Sequence, residues 1–209
     1  DANLRAEWDE IALRSLEQME TLSSEARRRL GQYTDADVRD RQNEVSKLNL
    51  SSRALNDLTD AVFFQHFSDY QRGDRLLDKK IGQVWQAFAA DQLKALQSGK
   101  ALERIEFPPD NFSHRINSRL QPGEGKAYIA NLGVNQTLRL QLQAPNQSVY
   151  LSLYPPTSKS PALLEDSREM MWSGKLNEPG YYEIVVVSDA KSDVNYTVDL
   201  AVADEVSLK

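Results

Sequence analysis

The chain has 209 residues, of which 40% are hydrophobic, with 25 Lys+Arg against 31 Asp+Glu and no cysteine. That length allows one large domain or two small ones with real cores, and a net charge of −6 without a dense basic cluster excludes a protein built to grip nucleic-acid phosphates. The missing cysteines exclude disulfides, thiol catalysis and cysteine-ligated metals, and no apolar run approaches the ~20 residues needed to cross a bilayer, so the chain as given reads as soluble.

In chain order, Leu4, Trp8, Ile11, Met19, Leu22, Ala26 and Leu30 recur at three- and four-residue steps, the stripe of a long amphipathic helix that Gly31 stops. Its abrupt charged beginning points to a piece cut from a longer polypeptide. Thr34 with Asp37 resembles a capping pair for a second, polar helix through Val38, Val45 and Leu48 to about Asn49. Leu55, Leu58, Val62, Phe63 and Phe67 form a denser third helix, closed by the polar stretch from Tyr70 to Asp74. Ile81, Val84, Trp85, Phe88 and Leu96 form a fourth, ending at Ser98-Gly99. After Lys100 the apolar period falls to two. Leu138, Leu140 and Leu142, then Val149, Leu151 and Leu153, then Tyr196, Val198, Leu200 and Val202 read as half-buried strands. Tyr181 to Val187, opened by the turn Pro179-Gly180, reads as a strand buried on both faces. Gly, Pro and Asn turns separate these strands, and Phe107 to Asp110 reads as a linker. The expected class is α+β: a four-helix, bundle-like domain over residues 1–102, with Trp85 in its core, and an antiparallel β-sandwich over 103–209, with Val185 in its own.

No constellation of catalytic residues emerges. His66 and His114 lie in different predicted domains without the spacing of a zinc site, and each reads as an ordinary surface or boundary residue. Glu165, Asp166 and Glu169 could hold calcium but lack the Asp-x-Asp-x-Asp-Gly pattern, so they read as a solvated acidic turn. No nucleophile elbow is present, and Gly123-Glu124-Gly125 precedes a strand rather than opening a helix, so it reads as a turn and not a phosphate loop. Arg27, Arg28 and Arg29 point in three directions on a helix and read as a solvated face. Asn49, Asn111, Asn135, Asn146 and Asn195 sit in glycan-acceptor triplets that chance explains. Tyr150, Tyr154, Trp172, Tyr181 and Tyr182 could stack on sugars or grip a peptide, although alternation turns part of each set inward to the core. Trp8, Phe63, Phe64, Phe67, Trp85 and Phe88 read as helical core. No catalytic, cofactor or metal residue is assigned, and the ligand-binding residues are unknown.

The pieces Gly123 to Leu132, Leu138 to Leu142, Val149 to Tyr154, Trp172 to Leu176 and Pro179 to Val187, in that order, resemble a bacterial pre-peptidase C-terminal (PPC) β-sandwich over roughly residues 115–203. With Leu48 to Leu58 ahead of them and Leu163 to Arg168 among them, they resemble the region that follows the kinase domain in cyanobacterial Ser/Thr protein kinases. The resemblance implies a single-pass membrane kinase whose catalytic residues have no counterpart here. This portion would lie across the membrane, in the periplasm or thylakoid lumen, tethered upstream of Asp1. The implied role is non-enzymatic sensing or interaction with an unknown protein, small ligand or glycan, without nucleic acid or cofactor. Two further readings stay open: a homodimerising or docking scaffold, and a carbohydrate-binding module.

Overall fold

A computed structural model describes residues 19–70, 76–77, 79–107, 112–145 and 148–204. The early helical stripe through Leu4, Trp8 and Ile11, most of the segment from Tyr70 to Asp74, the linker prolines at 108 and 109, and Asn111 and Asn146 lie outside the described residues. Among those described, four helices are seen: α1, Ser24–Arg28; α2, Asp35–Lys47; α3, Ser52–His66; and α4, Gly82–Gln97. Their ends follow local chemistry. Ser23 Oγ accepts the Ala26 N–H at 3.1 Å, and Thr34 N–H donates to the Asp37 carboxylate at 2.8 Å. Gly31 and Gly99 take positive φ after the first and last of the four.

Nine strands follow among the described residues: β1, Leu102–Ile105; β2, Ser113–Leu120; β3, Gly125–Leu132; β4, Thr137–Gln143; β5, Val149–Tyr154; β6, Leu164–Ser167; β7, Met171–Lys175; β8, Gly180–Ser188; and β9, Val194–Ala203. They form a five-stranded sheet, ordered β1-β3-β8-β5-β6, and a four-stranded sheet, ordered β2-β9-β4-β7. The sandwich is antiparallel except for β1, which runs parallel to β3. The chain crosses to the other sheet for β2 before returning to β3, and such a crossover permits the parallel pairing that a hairpin forbids. Between the sheets lie Leu138, Leu140 and Leu142 of β4 with Leu151, Leu153, Ile184, Val186, Val198 and Leu200. The Tyr128 and Tyr196 hydroxyls meet there at 2.5 Å, joining the sheets across their core.

The outer face of the five-stranded sheet is covered by helices. Val45, Leu50, Ala54, Leu55, Leu58, Leu93 and Leu96 pack on Ala127, Ile129, Tyr154, Val185 and Val187 in one apolar cluster. Double burial of β8 is thus observed, and the second layer over it is helical. Val185 is buried, but it faces this layer and not the inside of the sandwich. For the same reason β5 is more than half-buried: Ser152 and Tyr154 lie under the helices. The structure does not bear out a bundle closed on its own core. A second helical cluster gathers Leu22, Ala26, Tyr33, Phe63, Ala87 and Phe88, while the opposite flank of α3 belongs to the sheet.

Gly123 and Gly125 set the depth of this contact. Gly123 has φ +71°, and a Cβ there would fall 2.7 Å from Gln65 Cβ on α3; at Gly125 it would fall 2.5 Å from Leu58 Cδ2 and 2.7 Å from Val187 Cγ1. The segment is a turn, as read from sequence, and it is also the recess in which α3 rests. Gly125→Ala is expected to destabilise the chain by about 1 to 3 kcal/mol through overpacking, measured as a lower urea midpoint at unchanged slope.

Candidate recognition surface

The outer face of the four-stranded sheet carries no helix layer among the described residues. Alternation along β2, β9, β4 and β7 turns Arg115, Arg119, Arg139 and Lys175 outward together with one acid, Asp199. Cross-strand register places Ser113, Ala201, Arg139 and Ser173 in one row and Arg115, Asp199, Gln141 and Met171 in the next. The small side chains of the first row sink a trough of about 970 Å³ between taller neighbours. Arg115 grips Asp199 through Nε and Nη2, and Arg119 pairs with Asp193. Arg139 makes no ion pair among the described residues. Met171 stands 64% exposed at one end.

Charged and polar groups also meet beneath the helix layer. Glu183, 2% exposed in the middle of β8, accepts the Ser51 N–H at 2.8 Å and the Ser51 hydroxyl at 2.9 Å. Burial pushes its carboxyl up to about 7, against the lowering effect of both Ser51 donors and of the Arg53 charge. Next to it the Tyr154 hydroxyl donates to Asp57 at 2.8 Å, and burial is the main cause of its raised pKa. Arg53 lies over the Tyr154 ring at 4.5 Å and donates to the Ser160 carbonyl at 2.9 Å. These bonds tie the start of α3 to β8 and β5. They satisfy Glu183 and the Tyr154 hydroxyl, whereas Arg53 Nε and Nη2 are buried without a hydrogen-bond partner among the described residues.

The residues singled out from sequence are dispersed. His66 stacks on Phe88 in the helical cluster, with burial lowering its pKa, whereas His114 lies on β2 with its ring edge to Phe107. Glu165 and Asp166 are neighbours on β6, where the pairing with β5 shifts register and Asp166 takes φ +44°. Of the Arg run, Arg29 binds Asp37 at 2.7 Å and holds its carboxyl at about 2. Asn49 and Asn135 occupy left-handed turns, a local reason for asparagine at both. Among the sandwich aromatics, Tyr154 and Tyr182 are core. Arg168 covers Tyr150 at 4.3 Å and Arg104 covers Tyr181 at 5.5 Å, while Trp172 folds back over Gly174. The trough was not found from sequence; the polar residues between Leu138, Leu140 and Leu142 were its visible signal, and the missing knowledge was the register.

No protein-family model matches the chain. A serine/threonine-protein kinase-like protein, E, from Synechocystis sp. is 34% identical over 191 residues, covering 90% of this chain and 31% of that protein. The chain thus spans about a third of the length of the curated relative it matches. Among solved structures, it is similar to the Aeromonas hydrophila periplasmic inhibitor of g-type lysozyme, PliG, at 13% identity and TM-score 0.43, over 49% of this chain and 96% of that one. It is also similar to the pre-peptidase C-terminal domain of a Bacillus anthracis collagenase, at 15% identity and TM-score 0.38, over 49% of this chain and 94% of that one. Nearly the whole chain, helices and sandwich together, is therefore similar to a part of a cyanobacterial Ser/Thr kinase-like protein, as the sequence resemblance implied.

Proposed function

We propose that the chain is the non-catalytic recognition region of a membrane-anchored Ser/Thr protein kinase. It would lie outside the cytoplasm and bind a protein partner. The helical layer and the PPC-like sandwich act in it as one body, joined by their shared apolar cluster. The observation that carries this reading is the 34% identity to a kinase-like protein across 90% of the chain, a stretch equal to less than a third of that protein. The phosphate loop, strand lysine and metal-holding carboxylates of phosphoryl transfer have no counterpart in the sequence. No helix among the described residues is long and apolar enough to cross a membrane, so the reading assigns the tether to another part of the parent.

Two measurements test it. Alkaline phosphatase fused to Lys209 of the full-length parent is expected to be active in living cells, as that enzyme is only outside the cytoplasm. The purified chain given Mg-ATP and a protein acceptor is expected to transfer no phosphate. An inactive fusion on a stably expressed parent, or phosphotransfer by the isolated chain, overturns the proposal.

A further inference from the structure

We infer that the trough on the four-stranded sheet docks an extended acidic segment of a partner protein, an inference that rests on the recognition role proposed above. Charge gives the first argument. Four cations face outward from these strands, Asp199 and Asp193 answer two of them, and the remaining excess of positive charge stands out in a chain whose net charge is −6. An acidic partner is drawn to this face and repelled elsewhere, and this selects one docking orientation.

Shape gives the second. The row through Ser113, Ala201, Arg139 and Ser173 crosses all four strands, about 14 Å at ~4.8 Å per strand, which is the span of roughly four extended residues. Its small side chains let a backbone approach the sheet. Arg139 stands among them without an ion pair among the described residues, and a guanidinium meets a carboxylate through two parallel hydrogen bonds. Met171, 64% exposed beside this row, offers a pliable apolar contact for a neighbouring side chain.

The same geometry disfavours a sugar chain. Stacking, a common way to hold a sugar ring, has no platform here: no outward position of these four strands carries a ring, and Tyr150 and Tyr181 are covered by arginines.

The test titrates the full chain with a fluorescent peptide of sequence Glu-Leu-Glu-Glu-Leu-Glu, its Lys-for-Glu counterpart and an oligogalacturonate of equal charge. Saturable binding of the acidic peptide is expected, with none by the basic one, weakening as ionic strength rises to about 0.3 M. Arg139→Glu, and independently Ser173→Glu, are expected to weaken binding about tenfold or more with an unchanged thermal midpoint, since both sites are exposed. Lys47→Glu, on the helix layer, is expected to leave it unaltered. Equal binding by both trough variants, no saturation, or tighter binding of the oligogalacturonate overturns the assignment. Loss of peptide binding with an active phosphatase fusion removes only the trough, whereas an inactive fusion removes the extracytoplasmic reading and leaves the trough measurable.

Discussion

Leu58→Ala is expected to unfold helices and sandwich together, lowering stability by about 2 to 5 kcal/mol in one transition. Leu58 is fully buried on α3, beside Gly125 in the apolar cluster that joins the helices to the sheet. Truncation leaves a cavity that neither side can close alone, because the sheet is stiffened by pairing and α3 is pinned by Ser51 to Glu183 and by Asp57 to Tyr154. Hydrogen exchange in increasing urea reads the result. Amides of α3 and β8 are expected to lose protection at one midpoint, shifted equally by the substitution. Retention of β8 protection after α3 has opened would show that the sandwich stands alone and that the shared cluster contributes little.

Glu183→Gln is expected to make the chain more stable at pH 8 and to change little at pH 5. The sign follows from proton binding. The folded carboxyl titrates at about 7 against an ordinary 4.5, so the folded state holds a proton that the unfolded state has released between those values. The stabilisation is complete below about 4.5 and is lost as pH rises through about 7, a swing of about 3 kcal/mol at 1.36 kcal/mol per unit. Glutamine keeps an acceptor for Ser51 and does not ionise. His66, whose pKa burial lowers, works in the opposite direction as pH falls, so the informative quantity is the difference between the two proteins. That difference is expected to grow across the window in urea titrations at matched pH, and a difference constant with pH would refute the account.

How much of this was legible beforehand depended on whether the signal was local. The run from Tyr181 to Val187 announced a strand buried on both sides because it lacks alternation, and β8 is that strand. Its one acid, Glu183, is met by Ser51, which lies 132 residues away and leaves no mark in the local pattern. Gly123-Glu124-Gly125 read correctly as a turn, since a positive φ is a property of the residue itself; the recess for α3 depends on a distant helix and left no mark nearby. Stripes on α2, α3 and α4 showed which sides were oily without saying what they would touch. Arg115, Arg139 and Lys175 are scattered over 60 positions and become neighbours only when four strands lock in register.

From Gln97, the last residue of α4, to Leu102, the first of β1, the backbone has no slack: Ala101 N–H bonds the Ala95 carbonyl and its own carbonyl takes the Ala127 N–H. A rotation imposed on α4 is therefore delivered straight into the sheet edge, as a crank turns a shaft. The end of α4 and the edge of the five-stranded sheet are in this way held by one short, hydrogen-bonded connection.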